Sequence, residues 1–303
     1  MRKVWMALTV LVVLAVAAAW LGSMKRPGPE HSGRLLAVVT IPPEAYLVER
    51  VGGEHVTVET LVRPGQSPHT FEPTPAQVGS LARASVYFTI GFPSEKALAD
   101  KIAATNKSLR IVDISRGVPR RHMSADEAAG GHDEPESHDT GEPDPHTWLN
   151  PQFAKIEAGN VCAELKALDP ANAADYERNL ARLAADLDAL HTRLADTLAP
   201  VRGGKVFVFH PAFGYFTDAY GLRQVPVEAE GKSPSPKQVA ALIKKARADG
   251  VRVIFVEPQF SPRGAEVIAK EIGGAVVPID PLARDYITNL ETIASKIKEG
   301  LAR

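Results

Sequence analysis

Eight short apolar runs rich in β-branched residues alternate with segments of helical periodicity. This alternation constrains the possible folds more than any other feature of the sequence. It predicts parallel α/β sheets, because parallel strands need a crossover connection that is usually a helix. Four runs precede one long helical pattern and four follow it. We therefore expect two lobes, each with a four-stranded parallel sheet flanked by helices. The predicted strands are residues 35–40, 56–62, 85–90, 110–114, 205–209, 224–228, 252–256 and 275–279, and the predicted helices include 74–83, 236–249, 262–272 and 284–301.

The long helical pattern lies between the two halves. Asp169 and Pro170 supply a capping carboxylate followed by a proline at the first helical position. Apolar residues then recur at spacings of three and four, which places them on one face of a helix: Tyr176, Leu180, Leu183, Leu187, Leu190, Leu194 and Leu198. We expect a rigid linker helix over 169–200, roughly 45 Å long, between an N-terminal lobe (34–168) and a C-terminal lobe (204–303).

The N-terminus carries a targeting signal. Arg2 and Lys3 precede an apolar run that continues to about residue 22, which is typical of an export signal. Residues 1–24 are interpreted as a signal peptide, or as a signal anchor, because the run approaches the roughly 20 residues that span a bilayer. Either way, we expect the rest of the chain in the periplasm or another extracytoplasmic space. The single cysteine, Cys162, provides neither a lipid anchor behind the run nor a disulfide within the chain.

Charge and motif content exclude several functions. Lys plus Arg is 35 and Asp plus Glu is 36, giving a net charge of −1, whereas a nucleic-acid binder needs a basic face to meet phosphates. The sequence has no H-E-x-x-H helix, no G-x-S-x-G elbow, no Walker loop and no G-x-G-x-x-G. These absences favour binding over catalysis.

Four side chains form a candidate metal site. His69 lies in a Pro-rich loop after the second predicted strand, His146 lies in a loop before a helix, and His210 and Asp280 directly follow strands. Ligands of open α/β sheets bind beyond the carboxyl ends of strands, so we expect these four to converge between the lobes. Three imidazoles and a carboxylate suit tetrahedral zinc. Taken singly, each residue has an ordinary surface or turn role as its alternative.

Other polar residues carry weaker expectations. Glu257 ends a predicted strand and is either an acceptor for a ligating histidine or a strand-end cap. Residues 122–144 are polar and acidic without apolar periodicity, which predicts a mobile surface loop. The histidines of that loop either hold metal weakly or are simply solvated: His122, His132 and His138. The remaining histidines are expected to face solvent: His31, His55 and His191.

The motifs around these residues resemble the metal-specific solute-binding proteins of ABC transporters, the zinc and manganese group. They are Pro-Gly-x-x-Pro-His-x-Phe-Glu-Pro at 64–73, Asp-Pro-His-x-Trp-Leu-Asn-Pro at 144–151, Phe-His-Pro-Ala-Phe-Gly-Tyr-Phe at 209–216, Glu-Pro-Gln-Phe-Ser at 257–261 and Asp-Pro-Leu at 280–282. The resemblance implies two α/β lobes joined by a rigid helix, with metal between them.

The same resemblance assigns the four ligand positions to His69, His146, His210 and Asp280. Manganese members typically carry Glu at the third position, so His210 favours zinc. The fourth position is often left to water or another carboxylate in zinc members. Zinc members also commonly carry a His-rich acidic loop before the second ligand, and residues 122–144 occupy that place with few histidines.

The expected function is therefore high-affinity zinc binding outside the cytoplasm, with delivery of Zn²⁺ by a monomer to the membrane permease of an ABC transporter. A closed four-ligand shell has no position for an activated water, so we expect no enzyme activity. Three alternatives remain open. They are a manganese- or iron-binding member of the same family, an exported zinc hydrolase with Asp280 or Glu257 as general base, and an adhesin-like protein in which the metal is structural.

Overall fold

The computed structural model describes residues 33–103, 106–122, 143–228 and 235–302. The predicted signal segment 1–24 and most of the predicted loop 122–144 lie outside these residues. The chain from Arg34 to Arg303 folds as one unit. None of its described helices combines the length and the apolar character that a membrane crossing requires.

Both predicted sheets are present, and every strand pair in them is parallel. Their orders are β2-β1-β3-β4 and β6-β5-β7-β8, so the two lobes share one topology. Observed strand bounds differ from the predicted ones by one or two residues. The strands are Leu35–Val39 (β1), Val56–Thr60 (β2), Val86–Thr89 (β3), Arg110–Asp113 (β4), Lys205–Val208 (β5), Arg223–Pro226 (β6), Val253–Val256 (β7) and Ala275–Pro278 (β8).

Helices connect the strands, and several begin where the local sequence predicts. Thr74 and Ser235 each cap a helix by accepting the backbone N–H three residues on, and a proline follows each of them. The α-helices of the described chain are Pro42–Gly52 (α1), Pro75–Arg83 (α2), Pro93–Ala103 (α3), Pro151–Leu168 (α4), Ala173–Leu198 (α5), Gly214–Ala219 (α6), Pro236–Ala248 (α7), Arg263–Ile272 (α8) and Tyr286–Leu301 (α9).

The central strands of each sheet are buried on both faces. Ala37 and Val39 of β1 face a core that continues through the linker helix into the C-terminal lobe, whereas Val38 between them packs in a separate cluster. The same alternation places Val208 in the shared core and Phe207 on the opposite face of its sheet. Because one core crosses both lobes, apolar packing limits how far they can move apart.

The linker helix, α5, confirms the predicted leucine stripe. Six of the seven apolar residues on its predicted face are buried, and Leu180 is half-buried. The predicted start is wrong in one detail. A 3₁₀ turn over Pro170–Asn172 precedes α5, and Asp169 makes no cap with its side chain. Its Oδ2 instead accepts the Tyr176 hydroxyl at 2.8 Å, which ties the start of the helix to the stripe.

Candidate metal centre

Three short turns present the predicted histidines. His69 lies in the 3₁₀ turn Pro68–Thr70 behind β2, where the Ser67 hydroxyl accepts its backbone N–H at 3.3 Å. His146 immediately precedes the 3₁₀ turn Thr147–Leu149 that leads into α4. His210 follows β5 and precedes the turn Pro211–Phe213. All three turns lie beyond the carboxyl ends of strands or before a helix, as the sequence predicts.

The three imidazoles converge on one point. Nε2 of His69 lies 3.2 Å from Nε2 of His146 and 3.1 Å from Nε2 of His210. All three candidate ligand atoms lie within 4.8 Å of one another. A tetrahedral zinc site with Zn–N bonds of about 2.0–2.1 Å separates its nitrogens by roughly 3.3–3.4 Å. Two of the three nitrogen separations are thus close to the edge length of such a site.

Buried carboxylates fix which nitrogen of two rings carries the proton. Nδ1 of His146 donates to Oδ1 of Asp144 at 2.7 Å, and Nδ1 of His210 donates to Oε1 of Glu228 at 2.5 Å. Because each Nδ1–H is used in this way, the Nε2 lone pairs face the common point. Converging lone pairs repel one another unless a cation lies between them, so the arrangement favours a metal ion.

Protonation of two of the three rings, His69 and His210, is disfavoured in the folded protein. Local desolvation lowers the pKa of His69 well below its ordinary value, and the neighbouring His146 and His210 lower it further. Burial also lowers the pKa of His210, although the Glu228 carboxylate opposes that shift. Neutral imidazoles are the form that binds metal, so these two residues are prepared for ligation.

Aromatic side chains hold the three rings in place. Phe92 meets the His69 ring edge-on at 5.2 Å between centroids, and Phe260 stacks on His210 at 4.8 Å. Trp148 packs at a tilt against His146 at 5.3 Å. The Trp148 indole N–H also donates to the carbonyl of Pro281 in the other lobe at 2.8 Å. This packing limits rotation of the ligands without using their nitrogens.

Glu257 supports His210 through the main chain. Its Oε2 accepts the backbone N–H of His210 at 3.1 Å, while the ring bonds to Glu228. The strand order β6-β5-β7 places both carboxylates. Glu228 follows β6 and Glu257 follows β7, and these two strands lie on either side of β5, which leads to His210.

Sequence reasoning missed Glu228, although it lies at the end of a predicted strand as Glu257 does. It also missed Asp144, two residues before His146.

Asp280 is not brought into the triad. Its Oδ1 accepts the side-chain amide of Gln259 at 2.8 Å and the backbone N–H of Leu282 at 2.9 Å. It therefore has the turn-forming role that was its alternative. Within the described residues the cluster consists of three nitrogen ligands, and Asp280 is not among them. The triad borders a cavity of about 1030 Å³ between the lobes.

The other histidines lie apart from this cluster. His55 and His191 were expected to face solvent, but both are half-buried. His55 bonds to Asp175 at 2.8 Å, and His191 bonds to the Tyr220 hydroxyl at 3.2 Å. Each thereby ties the linker helix to a lobe. His122 is exposed, whereas the remaining three lie outside the described residues: His31, His132 and His138.

Comparison with known proteins identifies the family. A family profile described as "Zinc-uptake complex component A periplasmic", ZnuA, matches residues 37–300. The chain belongs to the ZnuA family. It is 30% identical to the high-affinity zinc uptake system protein ZnuA of Bacillus subtilis, over 93% of this chain and 90% of that protein. A crystal structure of ZnuA superposes with a TM-score of 0.81 at 36% identity, covering 88% of this chain and 99% of the other.

Relatives of this ZnuA-family chain are named for different metals. It is 26% identical to the manganese ABC transporter substrate-binding lipoprotein PsaA of Streptococcus mitis, over 98% and 96% of the two chains. It is 27% identical to the iron ABC transporter substrate-binding lipoprotein MtsA of Streptococcus pyogenes, over 90% of each. The chain is thus a metal-binding solute-binding protein of the ABC-transporter class. The expectation that it is not an enzyme agrees with these relatives.

Replacement of Glu228 by Gln should weaken metal binding about 10–100-fold, the usual cost of losing a carboxylate behind a ligating histidine. The amide removes the negative charge that orients and polarises the His210 ring. Glu257→Gln is the matched control, because that carboxyl is fully buried, has a raised pKa from burial, and accepts the backbone N–H groups of His210 and of Glu257 itself, not the His210 ring. Isothermal titration with zinc measures both. Equal losses in the two variants would contradict the assignment of Glu228.

Proposed function

We propose that this chain captures Zn²⁺ outside the cytoplasm with His69, His146 and His210 and delivers it to the permease of an ABC transporter. The convergence of three Nε2 lone pairs, two of them fixed by buried carboxylates, carries the proposal. Zinc is the cargo of this site. The permease is the partner implied by the family, and the protein acts as a monomer.

The donor set favours zinc over manganese or iron. Imidazole nitrogens suit Zn²⁺, whereas carboxylate, carbonyl and water oxygens suit Mn²⁺. Within the described residues the cluster contains only imidazoles, and the carboxylates Asp144 and Glu228 engage the far nitrogens of two of those rings. The relatives are named for zinc, manganese and iron, so the choice of zinc depends on this chemistry.

The fold supports a cargo metal and not a structural one. The core that joins the lobes is apolar and passes through the linker helix, so we expect the chain to stay folded without the ion. An adhesin-like protein with a structural metal would instead unfold on chelation.

We propose that segment 1–24 directs export. PsaA and MtsA are named lipoproteins, but the only cysteine of this chain, Cys162, is buried in α4 and does not provide a lipid anchor.

The hydrolase alternative lacks a positioned base. Three histidines are also the protein shell of some catalytic zinc sites, so the triad alone does not exclude hydrolysis. Asp280, however, is held by Gln259 and Leu282, and Glu257 is buried behind the His210 backbone. Neither proposed base faces the triad, and the relatives are solute-binding proteins.

His210→Ala should reduce zinc affinity by at least about 100-fold, because it removes one of three ligands and leaves Glu228 without its partner. Native mass spectrometry of the soluble chain, with zinc competing against manganese, measures both stoichiometry and preference. His191→Ala is the control, since that ring bonds to Tyr220 outside the triad. We expect one zinc per chain in the unaltered protein. Unchanged zinc binding in His210→Ala would rule out the proposed site.

His69 and His210 both have lowered pKa values, chiefly because of desolvation. In the metal-free folded protein these two rings should therefore be largely neutral at pH 6.5, the ordinary pKa of histidine, and release few protons when zinc binds. Zinc affinity should accordingly fall less steeply with decreasing pH near 6.5 than it would for three ligands with ordinary pKa values. Titrations between about pH 7.5 and 5 test this. A loss of affinity near pH 6.5 with the slope of three competing protons would contradict the lowered pKa values.

A further inference from the structure

A half-buried arginine lies behind the metal centre. Nη1 of Arg121 lies 3.7 Å from Oδ2 of Asp144, and its Nε donates to Oδ2 of Asp218 at 2.8 Å. The side chains of Arg121 and Asp144 are 14% and 2% exposed. The other oxygen of Asp144 holds the His146 ring. The guanidinium therefore links a metal ligand of the N-terminal lobe to α6 of the C-terminal lobe.

A second set of bonds joins the same elements. The hydroxyl of Tyr215, also on α6, accepts the backbone N–H of Arg121 at 2.9 Å and donates to the carbonyl of Asp144 at 3.1 Å. The backbone N–H of Asp144 donates to the carbonyl of Arg121 at 2.9 Å. Helix α6 begins at Gly214, four residues after His210. The contact of α6 with Arg121 and Asp144 is therefore close in sequence to two of the three ligands, His146 and His210.

Gly214 is the residue that allows Arg121 to approach. A Cβ atom at this position would lie 2.5 Å from Cζ and Nη1 of Arg121. The backbone at Gly214 is helical, with φ of −56° and ψ of −52°, so alanine is acceptable there on backbone grounds. Substitution by alanine would therefore displace the guanidinium without straining the main chain.

The ion pair with Arg121 has a specific consequence for Asp144. Oδ2 of Asp144 is buried and accepts no hydrogen bond from the described residues, so the arginine supplies the neighbouring positive charge. A buried carboxylate without a nearby cation is costly, so loss of the arginine charge should weaken the position of Asp144, whose Oδ1 accepts the backbone N–H and the ring N–H of His146. If the lobes part at α6, Arg121 loses Asp218 and Tyr215, and the orientation of Asp144 towards His146 weakens with it.

We propose that Arg121 is a positioning residue that couples contact between the lobes to metal retention, by holding Asp144 against the ligand His146. The inference rests on the proposed function, because it takes the triad as the metal site. Metal is held firmly while Arg121 bridges Asp144 and Asp218. Separation of α6 from Arg121 loosens His146 and speeds release of the ion.

The test compares variants in the full soluble chain by two measurements. The zinc dissociation rate is followed by stopped flow into excess chelator, and the ligand-field absorption of Co²⁺ bound in place of zinc reports the geometry of the ligands. Arg121→Gln and Gly214→Ala should each raise the dissociation rate about tenfold, at the lower end of the range for residues that orient a ligating group, and should shift the Co²⁺ bands. Arg121→Lys should raise the dissociation rate less than Arg121→Gln does, because lysine keeps the positive charge but lacks the planar fork.

Two further variants separate coupling from general stability. Arg284→Gln removes another ion pair between the lobes, with Glu49, that does not involve Asp144, and it should leave both readouts unchanged. Asp218→Asn should speed release in the unaltered background and have little added effect in Arg121→Gln, because the two residues form one bridge.

The outcomes distinguish the two proposals. If the unaltered chain binds one zinc but Arg121→Gln releases it at the unaltered rate with the same Co²⁺ spectrum, the role of Arg121 is overturned and the zinc site stands. Equal effects of Arg284→Gln and Arg121→Gln would also overturn it. If zinc binding in the unaltered chain does not require the triad histidines, the proposed function itself fails.

Discussion

The metal centre depends on neutral imidazoles whose far nitrogens are bonded to buried carboxylates. Asp144 and His146 form one such pair, and Glu228 and His210 form the other. The two carboxylates lie behind the rings, and Arg121 offsets part of their negative charge beside Asp144, so the centre favours a cation. His69 adds a third nitrogen but is more exposed than the other two. The pairs therefore determine the direction of two lone pairs and favour a positively charged ligand.

The rest of the fold holds these two pairs near each other. One pair belongs to each lobe, so the site exists only while the lobes face each other. The shared apolar core keeps the lobes joined, because it runs from β1 through the buried face of α5 to β5. Aromatic contacts act at shorter range, as Trp148 packs against His146 and bonds to Pro281 across the lobes. We therefore expect the chain to stay folded when the metal is removed.

Much of this arrangement is predictable from the sequence. The β-branched runs and the leucine stripe specify both sheets and the linker helix, because burial on one face or two leaves a periodic signal. His69, His146 and His210 are predictable because they lie where turns follow strands or precede a helix. Asp280 and Glu228 show the limit. Both lie near strand ends, yet Gln259 and Leu282 bind Asp280 while the His210 ring meets Glu228. Tertiary contacts determine which carboxylate turns towards the ligands, and the periodicity of the sequence does not predict those contacts.

X-ray absorption of the zinc-loaded chain shows which groups bind the ion. Imidazole rings give characteristic multiple-scattering signals, so the spectrum counts the rings and gives their distance from the ion. We expect three imidazoles at about 2.0–2.1 Å, and the same spectrum in an Asp280→Ala variant. Fewer than three imidazoles, or loss of an oxygen ligand in Asp280→Ala, would contradict this expectation.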